Sequence, residues 1–197
     1  MSLRKFILFS ILAFGLSLGL GLTFIKVTPP QFKLGVKVSP AKKIPKVTLY
    51  DHNEQPIPDL FEGQWTILTF GFTNCPDICP AALDFAAKSI ESGMKEAQWV
   101  FVTVDPDRDS PERLKSFTKY FHESIKGLYG PTETLDSLSK TLEAGIGKDK
   151  KTGEFVHSTR FYIINPKGQW VGYYTPESVT PDKFVLDLNR YLKKATL

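Results

Sequence analysis

The amino-acid sequence predicts an α/β domain that follows an N-terminal apolar segment. Short runs rich in β-branched and aromatic residues alternate with stretches whose apolar residues recur at helical spacing. Near its end the chain changes to two strands in a hairpin and one last helix. A chain of 197 residues suffices for one domain of ordinary size plus an appendage, without disulfides to stabilise it.

The N-terminal segment is an almost uninterrupted apolar run over residues 6–25, between Arg4, Lys5 and Lys26. At ~1.5 Å per residue a helix of this length spans about 30 Å, the thickness of a bilayer's hydrocarbon core. A cleaved signal peptide is the rival interpretation, but its apolar core has only ~7–15 residues and a small-residue cleavage site follows it. We therefore predict an uncleaved, single-span membrane anchor over residues 1–26.

The next stretch, residues 27–45, contains four prolines and is predicted to be a stiff, extended linker. Apolar residues alternate with polar or small ones over residues 32–38, so part of the linker could pair as an edge strand. The lysines within residues 33–46 could contact an anionic membrane surface. The folded domain is predicted to occupy residues 46–197.

The first half of the domain is predicted to contain a hairpin, a buried strand and a helix. Residues 47–50 and 56–57 flank a polar turn, as in a hairpin. Residues 65–72 are almost all apolar, which is typical of a central strand buried on both faces. The helix is expected to begin near Pro76, and its buried face carries Leu83, Ala86, Ile90 and Met94.

The second half begins with a predicted strand at residues 98–105. Ser110 has the character of an N-cap residue, because a proline and an acidic residue follow it in the first turn of a helix. Another helix is predicted from about Glu133, with Gly145 as its stop.

The end of the domain is predicted to be a hairpin of residues 160–164 and 169–174, followed by a helix after Thr180. Strands that alternate with helices and then close on a hairpin and a helix describe the thioredoxin-like class. The predicted fold is thus an α/β, thioredoxin-like domain with an N-terminal transmembrane helix.

The charge of the folded part argues against a nucleic-acid surface. The whole chain carries 25 basic and 21 acidic residues, a formal net charge of +4. Residues 1–26 hold three of the basic residues and no acidic one, so the remainder has a net charge of +1. A nearly neutral domain lacks the electrostatic footprint of a nucleic-acid-binding protein.

Cys75 and Cys79 are the only cysteines, and they lie four residues apart at the predicted start of a helix. Residues at this spacing share one helix face, so both sulfurs can reach the same soft metal ion, or they can bond to each other. The helix N-terminus is expected to favour their thiolate forms. The structural alternative is that both are half-buried core cysteines. As a redox motif, the pair has a spacing one residue longer than the usual Cys-x-x-Cys.

A metal site would need a third ligand, and His157 is the candidate among the three histidines. His52 lies in the predicted hairpin turn and His122 near a helix end, where solvated surface roles are expected. His157 precedes the strand that packs beside the cysteine helix in thioredoxin-like folds, at the place where oxidoreductases of that fold carry a proline. Two sulfurs and one imidazole suit Cu(I) and can also hold Cu(II), whereas structural zinc would require a fourth ligand.

Three segments carry a specific resemblance to a known family. They are Gly-Phe-Thr-Asn-Cys-Pro-Asp-Ile-Cys-Pro at residues 71–80, Asp-Pro-Asp-Arg-Asp-Ser-Pro-Glu at 105–112 and Val-His-Ser at 156–158. In this order they resemble the motifs of the Sco/SenC family of copper chaperones for cytochrome c oxidase. The resemblance runs from about Lys46 to the C-terminus.

The resemblance implies that Cys75, Cys79 and His157 bind a copper ion. It also implies an inner-membrane, single-pass protein whose domain faces the periplasm or the mitochondrial intermembrane space. The implied partners are subunit II of cytochrome c oxidase, at its CuA site, and other copper-handling proteins. Asp105 and Asp109 lie in the second motif, where they could be simple turn residues, orient the site, or contact a partner.

The sequence therefore favours a membrane-anchored copper chaperone whose cysteines could also form a redox disulfide, Cys75–Cys79. The alternative is an enzyme, a thiol–disulfide reductase that acts on a partner's cysteines and does not need His157. A peroxidase is weaker, because residues 73–75 give only a partial Thr-x-x-Cys pattern. A redox sensor without copper transfer also remains open.

Overall fold

The structure, a computed structural model, describes residues 29–150, 153 and 155–195. Its strands are β1 Val36–Lys43, β2 Leu49–Tyr50, β3 Pro56–Ile57, β4 Trp65–Gly71, β5 Ala97–Thr103, β6 Ile125–Leu128, β7 Gly147–Lys148, β8 Phe155–Val156, β9 Phe161–Asn165 and β10 Gln169–Tyr174. Its helices are α1 Ile78–Glu91, α2 Pro111–Phe121, α3 Thr132–Leu142 and α4 Pro181–Ala195. A 3₁₀ turn at Pro176–Ser178 precedes α4.

A six-stranded sheet in the order β1-β10-β9-β4-β5-β6 forms the centre of the domain. β4, β5 and β6 are parallel, and β9, β10 and β1 follow in antiparallel pairs on the other side of β4. All seven residues of β4 are buried, as expected of a strand covered on both faces. Because parallel strands end at the same edge, the chain leaves β4 and β5 side by side, and the functional site is built there.

Aromatic side chains fix the helices to the sheet. The ring of Phe85 in α1 stacks on that of Phe161 in β9, with centroids 5.2 Å apart. Phe184 in α4 meets Tyr174 in β10 edge-on at 4.7 Å, and Trp99 in β5 meets Phe161 at 5.6 Å. Such rings bury large apolar areas and add directional contacts, so the middle of α1 and the start of α4 are packed against the sheet.

The predicted α/β, thioredoxin-like fold is confirmed in the described residues, with small differences at element ends. α1 begins at Ile78, with Asp77 as its N-cap residue, slightly after the predicted start. Ser110 caps α2 as predicted, since its side chain accepts a hydrogen bond from the Arg113 amide. α3 ends before Gly145, because Glu143 takes the left-handed conformation with φ 52°.

One strand of the main sheet was missing from the sequence prediction. β6 has only four residues, and they include the exposed Lys126 and the small Gly127. Neither the apolar run of a buried strand nor a strict alternation is present over such a short stretch. Its pairing with β5, rather than its local composition, determines that it is a strand.

The predicted linker contributes an edge strand to the sheet, as its alternating pattern indicated. β1 pairs antiparallel with β10. Just before it, the amides of Lys33 and Leu34 donate hydrogen bonds of 2.8 to 3.1 Å to the Asp187 carboxylate in α4. The ring of Phe32 stacks on Tyr191 with centroids 3.9 Å apart. Residues 32–43 are therefore attached to the domain.

The predicted membrane anchor over residues 1–26 lies outside the described residues. Within residues 29–150, 153 and 155–195, no helix combines the length and the apolar character needed to cross a bilayer.

Candidate metal centre

The two cysteines lie where the chain passes from β4 into α1. Cys75 is in the connecting loop and Cys79 is in the first turn of the helix. Both are free thiols, with 7% and 2% of their surface exposed. The Cys79 amide points to the Cys75 Sγ at 3.4 Å, a contact that uses one of the unpaired N–H groups at the start of the helix. Both cysteines thus lie at the N-terminal end of α1, but only Cys79 is within the helix, so the predicted common helix face is not formed.

His157 reaches this helix end from the opposite side of the site. It follows β8, and its Nε2 lies 3.6 Å from the Cys79 Sγ. Its Nδ1 lies 3.0 Å from the backbone carbonyl oxygen of Ser158. Because a carbonyl oxygen only accepts hydrogen bonds, Nδ1 must carry the proton. In the neutral ring, Nε2 therefore presents its lone pair to the sulfur, which is the arrangement of a ligating histidine.

Burial decides the protonation state of the His157 imidazole and the Cys79 thiol in the metal-free protein. It lowers the pKa of the His157 imidazole, an effect that the hydrogen bond to Ser158 partly opposes. Burial also raises the pKa of the Cys79 thiol; a backbone hydrogen bond from Phe72 acts against this rise, and Cys75 and Asp109 add to it. A neutral thiol thus faces a neutral imidazole, and the expected thiolate is not the resting form of Cys79.

Gly71, the last residue of β4, allows the sulfur to lie this close to the sheet. A Cβ atom at this position would fall 2.5 Å from the Phe101 ring and 2.9 Å from the Cys79 Sγ. Both distances are too short for any side chain to fit without displacing the ring or the sulfur. The absence of a side chain at residue 71 is therefore part of how the site is built.

A buried carboxylate fixes the start of the cysteine loop. Asp109, 1% exposed, accepts hydrogen bonds from the amide and the hydroxyl of Thr73 and, at 2.6 Å, from the hydroxyl of Thr103. The loop is held a second time where the Arg113 guanidinium donates to the side-chain oxygen of Asn74. Of the two acids singled out from the sequence, Asp109 thus contacts the cysteine loop directly.

Asp105 has a more local set of contacts. Its carboxylate pairs with Arg108, three residues along the chain, and its amide donates to the Thr103 hydroxyl at 3.0 Å. These contacts shape the turn between β5 and α2, which matches its interpretation as a turn residue.

The other two histidines lie elsewhere. His52 is in the turn between β2 and β3, and His122 caps the C-terminal end of α2, where its Nδ1 accepts a hydrogen bond from the Ser124 amide. Among the described residues, no three His, Cys, Asp or Glu side chains form a group spaced to hold a metal ion. The direct contact in the site is the one between Cys79 and His157, with Cys75 beside them.

The sequence analysis assigned no role in the copper site to Thr73, Thr103, Ser158 or Gly71. The parallel pairing of β4 and β5 aligns Gly71 with Thr103, so the residues after one strand meet the end of the other. The two buried strands were both predicted. If they are taken as parallel neighbours, their C-terminal ends lie at one edge of the sheet, and this would have brought the two threonines together. Nothing in the sequence indicates the carbonyl contact of Ser158.

Sheet order, helix placement and the position of the cysteine pair define a thioredoxin-like protein in which a histidine, rather than a proline, faces the cysteines. The SCO1/SenC family model matches residues 37–193. The chain belongs to the SCO1/SenC family.

Individual relatives agree with this assignment. The mitochondrial SCO2 homolog of Mus musculus is 32% identical over 155 residues, which are 74% of this chain and 60% of the mouse protein. The structure of yeast Sco1 with copper bound has a TM-score of 0.68 at 30% identity, covering 77% of this chain and 89% of that one. Bradyrhizobium japonicum ScoI with copper bound gives 0.67 at 26% identity, covering 76% and 99%.

Proposed function

We propose that this protein is a membrane-anchored copper chaperone for the CuA site of cytochrome c oxidase, with Cys75, Cys79 and His157 as its copper ligands. The observation that carries the proposal is the 3.6 Å contact between the Cys79 Sγ and the unprotonated Nε2 of His157. This contact brings together two groups that are 78 residues apart in the chain. The copper-bound structures of yeast Sco1 and Bradyrhizobium ScoI support copper as the ion.

The donor set fits copper as a cargo. Two sulfurs and one imidazole nitrogen are soft ligands that suit Cu(I) and tolerate Cu(II). The hydrogen bond from Nδ1 to Ser158 holds the ring with Nε2 directed at Cys79. The thiols must lose their protons when the ion binds. A three-coordinate ion leaves room for an incoming ligand, so an acceptor protein can take the copper by ligand exchange.

The thiol pair adds a redox control to this cycle. A disulfide between Cys75 and Cys79 would form with the loss of two protons and two electrons to an oxidant, and it would remove both sulfur ligands. Copper binding then requires the reduced pair.

The reductase alternative receives less support from the site. A reductase needs a thiolate nucleophile, and burial, which raises the pKa of the Cys79 thiol, disfavours Cys79 in that role. His157 has no required part in that chemistry, yet its lone pair is directed at the sulfur.

For partners and location, the family resemblance supports subunit II of cytochrome c oxidase as the acceptor. We place residues 1–26 as a single span in the inner membrane, with the domain in the periplasm or the mitochondrial intermembrane space. Other copper-handling proteins would supply the ion.

The test is oxidase assembly in cells that lack the endogenous gene and express the full chain. Cys79→Ser is expected to abolish cytochrome c oxidase activity, and His157→Ala to reduce it severely, because each removes a copper ligand. His122→Ala is the matched control and should retain activity. Normal oxidase in the Cys79→Ser strain would contradict the proposal, whereas loss with Cys79→Ser but not with His157→Ala would favour the reductase.

A further inference from the structure

A groove of about 380 Å³ opens beside the cysteine site, between α1 and the 3₁₀ turn that precedes α4. Its apolar lining comes from Ile78, Ala81, Ala82, Phe85, Pro176 and Pro181. Ala81 is exposed and lies two residues from Cys79. Side chains this small allow another polypeptide to approach α1 closely.

Exposed apolar residues flank the site on both sides of the thiol–imidazole contact. Ile78, which lines the groove, is 42% exposed and directly precedes Cys79. Val156 is 53% exposed and directly precedes His157. Among the described residues the large exposed hydrophobics are few, and two of them adjoin the proposed ligands. Such a placement is typical of a surface that contacts another macromolecule.

The mouth of the groove carries negative charge. Three carboxylates line it, those of Asp77, Asp84 and Glu177, together with the ammonium group of Lys88. Lys88 binds Asp84 at 2.6 Å, so these two charges offset each other. Within the described part of the chain, Asp77 and Glu177 have no hydrogen-bonding or ion-pair partner for their carboxylates. Two uncompensated negative charges thus border an apolar floor.

We propose that this groove docks a protein partner through a segment that combines apolar side chains with a basic residue. The apolar part would cover Ile78, Ala81 and the two prolines, and the basic residue would pair with Glu177 at the rim. Docking there would place the partner's own metal ligands beside Cys79. The inference rests on the proposed copper transfer and names the chemistry by which the acceptor is recognised.

Complementary charge governs how fast such complexes form and which partner is accepted, and the apolar contact governs how long they last. Glu177→Lys would repel a basic segment, and Ala81→Glu would place a charge on the apolar floor. Glutamate is a good helix former, so Ala81→Glu is compatible with α1.

The experiment measures copper transfer from the full chain in detergent to the metal-free CuA domain of oxidase subunit II, used as the probe. Transfer by Glu177→Lys and Ala81→Glu at low acceptor concentration should be roughly tenfold slower than by the wild type. The copper affinity of both variants should be unchanged. For Glu177→Lys the difference should shrink as salt is raised, because the rim charge is exposed and screened.

Glu91→Lys is the matched control, since it makes the same charge change at the far end of α1 and should transfer copper normally. Unchanged transfer by both groove variants, from protein that binds copper with wild-type affinity, would overturn the groove proposal alone. A wild-type chain that binds no copper would overturn the proposed function and this inference together. A concentration-dependent dimer that Ala81→Glu abolishes would place a second copy in the groove and also overturn it.

Discussion

The loop that carries Cys75 is fixed by the fully buried carboxylate of Asp109, whereas His157 directly follows a hairpin whose strands, β7 and β8, have two residues each. Asp109 accepts hydrogen bonds from three groups, the amide and the hydroxyl of Thr73 in the cysteine loop and the hydroxyl of Thr103 at the end of β5. On the other side, β7 and β8 are largely exposed. The clear anchor there is the hydrogen bond of 2.9 Å from the Ser158 amide to the Ala144 carbonyl.

The difference suggests a separate role for each of the two kinds of proposed ligand. Segments with few buried contacts and exposed backbone open at a low cost in free energy, whereas packed ones open only with the whole domain. The cysteine pair is therefore preorganised by the core of the fold. The histidine follows a largely exposed hairpin, which can adjust more readily than the cysteine loop. Changes to the support of the cysteine loop should damage the fold, changes to the hairpin should have little effect, and loss of the histidine itself should weaken copper binding alone.

The largest effect is expected from Asp109→Ala. The change leaves the part-buried Thr73 amide and the buried Thr103 hydroxyl without their acceptor, and it should lower the free energy of unfolding by about 3 kcal/mol. Urea unfolding of the full chain measures it. Asp107→Ala, an exposed acid two residues earlier, is the control and should stay within about 0.5 kcal/mol of the wild type. Equal stability of the two variants would show that the cysteine loop needs no such support.

His157→Ala should show the opposite pattern. We expect the dissociation constant for Cu(I) to rise about 100-fold, since a ligand is lost, while the free energy of unfolding changes by less than about 1 kcal/mol. Chelator competition and urea unfolding on the same samples give both numbers. A large loss of stability would mean that His157 is a structural residue of the core, and the contrast between the two supports would fail.

The pH dependence of copper binding sharpens the comparison, because the Cys79 thiol is protonated in the metal-free protein. Burial raises the pKa of the Cys79 thiol, so its proton must leave when copper binds. Copper affinity should therefore increase with pH, by up to about tenfold per unit for each proton released. Burial lowers the pKa of the His157 imidazole, so this ring is neutral between pH 6.5 and 8.5. Affinity that is flat between pH 6.5 and 8.5 would contradict a protonated Cys79.

The smallest effect is expected in the hairpin itself. The ammonium group of Lys148 lies 4.6 Å from the centre of the Phe155 ring, and an exposed contact of this kind contributes only about 0.5–1 kcal/mol. Lys148→Ala should leave copper affinity within about twofold of the wild type. A loss as large as that of His157→Ala would show that the hairpin is a rigid part of the site.

Much of this site could be predicted from the sequence, and the exceptions have a common cause. The helix start at the cysteine pair followed from local spacing, and Asp109 followed from a motif. The role of Asp109 depends on Thr73 and Thr103 meeting at the edge shared by two parallel strands. The tautomer of His157 depends on one backbone carbonyl. Contacts that depend on strand pairing and on the direction of a backbone carbonyl leave no local pattern in the amino-acid sequence.

The same cause explains two errors in the sequence prediction, the missing strand β6 and the thiolate form expected for Cys79. Four residues of β6 form a strand through pairing with β5 alone. The thiolate expected for Cys79 took account of the helix N-terminus, whereas burial beneath the loop decides its pKa. Exposure of a helix start cannot be judged before the packing around it is known.

The central claim is that Cys75, Cys79 and His157 bind one copper ion together, and X-ray absorption spectroscopy of the Cu(I)-loaded full chain tests it most directly. The expected spectrum contains two sulfur neighbours and one imidazole nitrogen, with the nitrogen lost in His157→Ala and one sulfur lost in Cys79→Ser. His122→Ala should give the wild-type spectrum. An all-sulfur coordination shell, or a spectrum that His157→Ala leaves unchanged, would contradict the claim.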